Sequence, residues 1–327
     1  MHTESPQAHL PAVPGPAAVA LGTLAARARD YAGQAKAPNT LRAYRSDWGH
    51  FTAWCAEHGL ESLPAAPETV ALYLTQLAEA GRKASTLGRR LSAISQAHQA
   101  AGQASPTQHA AVRATWAGIR RALGTAAAGK APALTETVRA MVGALPDTLG
   151  GLRDRALLLL GFAGAFRRSE LVGLNVEDLS VTGAGLVVTL RRSKTDQEGT
   201  GRPVGIPYGS SADTCPVRAV QAWCAAAGIT SGPLFRAVNR HGQVAAGRLS
   251  DKAVALVVKR AAEAAGLDPQ HYAGHSLRAG LATSAAAAGV SERAIMRQTG
   301  HTSERMVRRY IRDGSLFRDN AAAAVGL

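Results

Sequence analysis

A chain of 327 residues, 46% apolar and 18% charged, is long enough for two cored domains and has the balance of an ordinary globular protein. Lys and Arg outnumber Asp and Glu by 37 to 23, a formal charge of +14, which favours a polyanionic partner, nucleic acid or an acidic membrane surface, over the bland alternative of a merely basic soluble protein. Three cysteines without a CxxC pair argue against a disulfide framework and a cysteine zinc site, and the longest apolar run, Ala156 to Phe166, is too short to span a bilayer.

No basic stretch followed by an apolar core opens the chain, so no secretory signal is read and a cytoplasmic location is expected. The positive excess is spread over both halves: 12 basic against 7 acidic side chains in residues 1–125, and 25 against 16 in 126–327. Both halves are therefore candidates to meet a phosphate backbone.

Residues 1–17, rich in Pro, Ala and Gly, read as a flexible leader. From Ala18 the pattern is helical. Pro38-Asn39-Thr40 offers helix-start chemistry, and Leu41, Tyr44, Trp48, Phe51 and Cys55 mark one buried face of a helix that ends at Gly59. Helices over 67–80, 85–101 and 106–123 follow, stopped by Gly81, Gly102 and Gly124. With no strand signal, residues 18–124 predict a helical bundle. Its basic side chains, Arg82, Lys83, Arg89 and Arg90, then Arg113, Arg120 and Arg121, are candidates for DNA phosphates, a solvated helix face being the equal alternative.

Residues 125–133 have the small-residue composition of a linker. A second domain starts at 134. The run Leu152 to Phe162 predicts a helix buried all round, and it leads into AFRRSELVGLNVEDL. An arginine beside so apolar a segment needs a partner, which for Arg167 is either Glu170 or a bound anion. Residues 185–191 and 203–208 then predict a β-hairpin whose polar tip carries Lys194, and helices are expected over 216–227 and 250–265, with 233–235 a short extended piece between them.

The stretch from His275 to Tyr310 holds His275 and Arg278, Gly300 and His301, and a tyrosine among Arg305, Arg308, Arg309 and Arg312. A helix starting near His275 places Arg278 one turn on, so that the two side chains can converge on one anion. Thr302 or Ser303 can cap a further helix in which Met306, Val307, Tyr310 and Ile311 share a face, directing Tyr310 inward. An inward tyrosine is commonly a core residue; the surrounding arginines suit an anionic ligand better.

In this order, the Arg-x-Ser-Glu-Leu box at Arg167 to Leu171, the hairpin lysine Lys194, His275-x-x-Arg278, Gly300-His301 and Tyr310 resemble the motifs of the tyrosine recombinase, or phage integrase, family. Residues 134–320 resemble its catalytic domain and 18–124 its core-binding domain. The resemblance implies a mainly α fold with a small antiparallel β-sheet, the two domains forming a clamp around double-stranded DNA that carries a specific recombination site. It implies a site-specific recombinase with Tyr310 as nucleophile, leaving a 3′-phosphotyrosyl bond and a free 5′-hydroxyl. Arg167 and Arg278 would clamp the non-bridging oxygens, Lys194 would protonate the departing 5′-oxygen, His275 would act as general acid/base, His301 would donate to the phosphate, and Glu170 would orient Arg167.

No metal and no cofactor are expected, since no Asp/Glu pair or His/Cys set has ligand spacing. Two features depart from the family's habit: Ala165-Phe166 stands where Gly-Leu or Gly-Met is common, and Arg168 where an apolar residue is usual. The catalytic domain is expected over 134–313. The tail 314–327 is expected to form a small apolar helix docking on a neighbouring subunit, giving a homotetramer on two DNA sites and a monomer or weak oligomer without DNA. No arm-binding domain is read before residue 18, which suits simple inverted half-sites. The alternatives are type IB topoisomerase-like relaxation and a non-catalytic DNA-binding accessory role.

Overall fold

The structure, a computed structural model, describes residues 16–124, 129–191, 200–304, 307–308 and 310. It divides into two compact units, one up to Ala127 and one from Ala128.

The first unit is helical throughout its described residues: α1 (Pro16–Gln34), α2 (Pro38–Glu57), α3 (Pro67–Glu79), α4 (Ala84–Ala100) and α5 (Ala110–Leu123). Proline occupies the first turn of α2 and α3, where its fixed φ suits the helix and its missing N–H costs nothing. Phe51, Val70, Tyr73, Leu74, Leu87, Ile94 and Val112 interlock as the core. The single helix expected over 106–123 is broken: Pro106–Gln108 is a 3₁₀ turn, and α5 starts at Ala110 because His109 is extended and caps it by accepting from the Ala111 N–H.

The second unit runs α6 (Thr135–Gly143), α7 (Leu149–Ala163), α8 (Arg168–Gly173), β1 (Leu179–Thr182), β2 (Gly185–Leu190), β3 (Arg202–Pro207), α9 (Pro216–Ala227), β4 (Arg236–Val238), β5 (Val244–Arg248), α10 (Asp251–Ala264), α11 (Gly274–Ala287) and α12 (Glu292–Thr299). Ala156 to Leu160 are all buried, so α7 is the central helix its all-round apolar pattern predicts. The hairpin of β2 and β3 exists, with Leu190 opposite Arg202 and Gly185 opposite Pro207. It belongs to a three-stranded antiparallel sheet in the order β1-β2-β3, and β4 pairs with β5 in a second small sheet. The extra strands escape sequence reading for a physical reason: β1 and β5 are short and mostly exposed, so no buried alternation marks them.

The segment leading into α6 is laid along the second unit. Ala131 N–H donates to the His271 carbonyl, Ala133 N–H donates to the Ser276 carbonyl at 2.9 Å, and the Lys130 ammonium reaches the Gln270 carbonyl. This contact requires Gly280, because a Cβ there would lie 1.8 Å from the Ala133 carbonyl oxygen. α11 is thereby held in register from both sides, by this backbone and by α7. No helix among the described residues is long and apolar enough to cross a membrane.

Gly280→Ala is expected to destabilise the protein by about 1–3 kcal/mol, because a backbone atom and not a flexible side chain must give way. Urea denaturation followed by circular dichroism checks this; a midpoint equal to that of the native protein would refute the close approach.

Candidate active site

The site is assembled from the ends of elements, where backbone groups and side chains are free to face a ligand. α7 ends at Gly164, and the following Ala165 sits at φ 49, in the left-handed region that costs an L-residue about 1–2 kcal/mol. The turn is fixed on both sides, since Phe166 is buried and a Cβ on Gly164 would overlap its ring at 2.2 Å. Its effect is to aim the Ala165 carbonyl at the Arg278 guanidinium, 2.7 Å away. Alanine in the position where the family commonly has glycine thus sits in a glycine-like conformation.

Arg167 caps α8. Its N–H donates to Glu170 Oε2 at 2.8 Å and its guanidinium to Glu170 Oε1 at 2.5 Å, so one carboxylate, itself 5% exposed, fixes both the backbone and the side chain. Of the two partners open to Arg167 on sequence grounds, Glu170 is the one in place. Arg168 is exposed, and its aliphatic stem lies over Gly274, where a Cβ would come within 2.4 Å of it.

α11 begins at Gly274 and carries His275 and Arg278 one turn apart. Arg278 is 1% exposed, donating to the Ala165 carbonyl and to His301 Nε2 at 3.0 Å. Burial, and after it the nearby Arg167, brings its pKa down to about 10, leaving it cationic at neutral pH. Arg202, at the start of β3, is likewise lowered by burial. Three guanidiniums, Arg167, Arg202 and Arg278, thus act on one another with, among the described residues, one carboxylate, Glu170, beside them. The result is a net positive recess.

Gly300 ends α12 with φ 66, and a Cβ on it would meet the Arg202 guanidinium at 2.7–2.8 Å. Arg202 in turn donates to the carbonyls of Arg297 (3.1 Å) and Gln298 (3.3 Å), a cation at a helix C-terminus. The Gly-His pair therefore has a structural reason: glycine takes the left-handed turn without strain and leaves room for the guanidinium, and the turn delivers His301 to Arg278. His301 Nδ1 lies 2.7 Å from Thr299 Oγ1. Burial first, then Arg278 and Arg167, pushes the His301 pKa down to about 4.

Tyr310 enters the same recess. Its hydroxyl is 2.8 Å from His275 Nε2, and its ring centroid is 6.0 Å from that of His301. Arg167, Glu170, His275, Arg278, His301 and Tyr310 are thus brought together from positions more than 140 residues apart in the chain (167 to 310). Lys194 lies outside the described residues, as do Arg305, Met306, Arg309, Ile311, Arg312 and the tail 314–327. Arg308 is exposed and pairs with Glu304 and Glu292. Sequence reading missed Arg202 and Thr299: both stand next to the glycines of turns, in no periodic pattern, and only the tertiary contact gives them meaning.

The basic side chains of the first unit fare unequally. Arg82, Lys83, Arg113, Arg120 and Arg121 are exposed. Arg89 makes a bidentate pair with Asp47 at 2.7 and 3.1 Å. Arg90 corrects the surface reading: it is 9% exposed and turned inward, donating to the Tyr73 hydroxyl at 2.9 Å beside Asp47 and His50. One position on from Arg89 is a turn of about 100° round the helix, which carries Arg90 in towards Tyr73 of α3 while Arg89 stays at the surface, both beside Asp47.

Comparison with known proteins bears on this geometry. The sequence profile described as "Phage integrase family" matches residues 134–315, and that described as "Phage integrase, N-terminal SAM-like domain" matches 30–104. The chain belongs to the phage integrase family. As a tyrosine recombinase it is 48% identical over 292 residues to an integrase/recombinase xerD homolog of Selenomonas ruminantium, covering 88% of this chain and 85% of the relative. Recombinase cre of Escherichia phage P1 is 27% identical over 299 residues, 86% of this chain and 85% of that protein. The fold matches a lambda integrase dimer bound to a COC′ core site with a TM-score of 0.59 at 18% identity, over 92% of this chain and 78% of the other. A XerH site-specific recombinase in a post-cleavage complex matches at 0.58 and 16%, over 80% and 73%. The activity is site-specific DNA strand exchange, and this tyrosine recombinase has the mainly helical, two-domain architecture of its relatives.

The depressed His301 pKa has a thermodynamic consequence. Below the ordinary value of 6.5 the unfolded chain binds a proton at His301 that the folded recombinase, with a pKa of about 4, refuses. Stability from this residue is full above pH 6.5 and is lost as the pH falls towards 4. In His301→Gln that part of the pH dependence is expected to vanish. Urea midpoints of the two proteins between pH 7 and 4.5 check it; parallel curves would refute it.

Proposed function

We propose that Tyr310 is the nucleophile of this recombinase and that Arg167, Arg278, His275, His301 and Lys194 serve the phosphodiester it attacks. The observation that carries the reading is the 2.8 Å contact between the Tyr310 hydroxyl and His275 Nε2 at the mouth of a recess with net positive charge. His275 Nε2 accepts the phenolic proton as the tyrosine oxygen bonds to phosphorus. The P–O bond to the 5′-oxygen breaks, and Lys194, assigned by resemblance, supplies the proton that makes the 5′-hydroxyl. The energy of the phosphodiester is kept in the 3′-phosphotyrosyl ester, so a 5′-hydroxyl of another strand reverses the step without ATP.

Arg167 and Arg278 bind the two non-bridging oxygens, where charge rises in the five-coordinate transition state. Glu170 orients Arg167. His301 adds a hydrogen bond to the same phosphate. The partner is double-stranded DNA with a specific recombination site, with Arg82, Lys83, Arg89, Arg113, Arg120 and Arg121 meeting phosphates from the helical domain; Arg90 is withdrawn from that set by its burial.

An apolar groove of about 500 Å³ on the catalytic domain, lined by Phe162, Pro207, Leu281, Ala285, Val290 and Ile295, suits the apolar tail of a neighbouring subunit. Such exchange supports a homotetramer on two DNA sites, with catalytic and tail segments meeting at about residue 313. Relaxation without exchange of partners is the lesser reading, because the similar proteins are recombinases.

Tyr310→Phe is expected to bind its site as the native protein does and to form no covalent adduct with a nicked substrate carrying that site; an adduct that persists would overturn the assignment. Arg167→Ala and Arg278→Ala are expected to slow single-turnover cleavage by about 10²-fold or more. Affinity is expected to fall steeply between low and physiological salt, as a filter-binding titration would show; a flat response would contradict phosphate contacts as the source of affinity.

A further inference from the structure

Thr299 is the last residue of α12, fully buried, and it carries a hydroxyl next to the apolar cluster of Ala282, Ala286, Ile295 and Val307. A buried hydroxyl is unfavourable unless its hydrogen bonds are made. Here they are made in one arrangement only. Arg278 has donors and no acceptor, so His301 Nε2, 3.0 Å from its guanidinium, must present a lone pair. In the neutral ring the proton is then on Nδ1, which donates to Thr299 Oγ1 at 2.7 Å. The Thr299 hydroxyl proton goes to the Ile295 carbonyl, 2.7 Å away. The opposite tautomer would set Nε2–H against the Arg278 N–H and leave no donor for Thr299 Oγ1.

We propose that Thr299 is a positioning residue of this site: its hydroxyl, acting with the Arg278 guanidinium on the other ring nitrogen, fixes His301 in the Nδ1–H tautomer, so that Nε2 faces the recess as an acceptor and becomes a phosphate donor only by taking up a proton when DNA binds. The inference rests on the assignment of His301 to the phosphate made above. The groups facing His301 are Arg278 and His275 from α11, Arg167 at the head of α8, Arg202 from β3, and the Tyr310 ring; Glu170 is held by Arg167. These cations oppose protonation in the free protein. A phosphodiester seated among them reverses the balance, Nε2–H then turning from the guanidinium to a phosphate oxygen while Nδ1–H stays on Thr299. Tautomer choice by a hydrogen bond to the far ring nitrogen is a general property of imidazole, and for metal-bound imidazoles loss of such a partner typically costs about 10–100-fold.

Thr299→Val keeps the shape and removes the acceptor; Thr299→Ser keeps the acceptor. Nitrogen-15 NMR of histidine-labelled protein without DNA is expected to show His301 as Nδ1–H in the native protein and in Thr299→Ser, and with Nε2–H populated in Thr299→Val. Single-turnover cleavage is expected to slow about tenfold in Thr299→Val, with DNA affinity unchanged, and to be near native in Thr299→Ser. The Thr299→Val/His301→Gln pair is expected to cleave no more slowly than His301→Gln alone. Calorimetry near pH 6 in buffers of different ionisation enthalpy is expected to show proton uptake on DNA binding that His301→Gln abolishes. An Nε2–H native ring, native-rate cleavage by Thr299→Val, a Thr299→Val loss that persists undiminished in the His301→Gln background, or no proton uptake would each overturn the proposal. The tautomer is read without DNA, so its failure is separable from failure of the Tyr310 mechanism.

Discussion

The Arg278 guanidinium, 1% exposed and hydrogen-bonded to a carbonyl and an imidazole, is a cation buried without a carboxylate of its own among the described residues. Such burial is costly, and a protein seeking stability alone would pair the charge or replace it with apolar bulk. The nearby carboxylate is committed: Glu170 holds the Arg167 backbone and side chain. What remains is positive charge in a poorly solvated recess, arranged before any ligand arrives, which is how electrostatic stabilisation of a phosphoryl transition state is preorganised.

Much of the surrounding structure serves to keep that charge in place. Gly280, two residues from Arg278, allows the backbone at Ala133 to lie against α11. Ala165 accepts a left-handed conformation so that its carbonyl meets the guanidinium. Gly300 and Arg202 fasten the turn that brings His301 to the other side. The positive-φ alanine among the described residues, Ala165, belongs to this site, as expected where geometry is held against the backbone's own preference.

The fold class was legible because its signals are strong: a helix apolar on all sides became α7, three- and four-residue apolar spacing became α2, and the β-branched, apolar run expected as a strand over 185–191 became β2. Strands β1, β4 and β5 were not legible, being short with little burial to write a pattern. Within the site, the residues with functional groups in recognisable order, from Arg167 to Tyr310, could be named in advance. Arg202 and Thr299 could not, since each acts through a tertiary contact with a glycine turn or an imidazole. Arg90 shows the converse limit: adjacency to exposed cations grouped it with them, while the helix period turned it towards Tyr73. Lys194 is placed by resemblance alone.

The central claim is that Arg278 acts on negative charge at the scissile phosphate. Its most direct test compares single-turnover cleavage by the native protein and Arg278→Ala on a substrate with an ordinary scissile phosphate and on one with a neutral methylphosphonate in its place. On the charged phosphate the substitution should slow cleavage by about 10²-fold or more; on the neutral group most of that loss should disappear. An equal loss on both substrates would show that Arg278 holds the fold and not the charge, and would contradict the account.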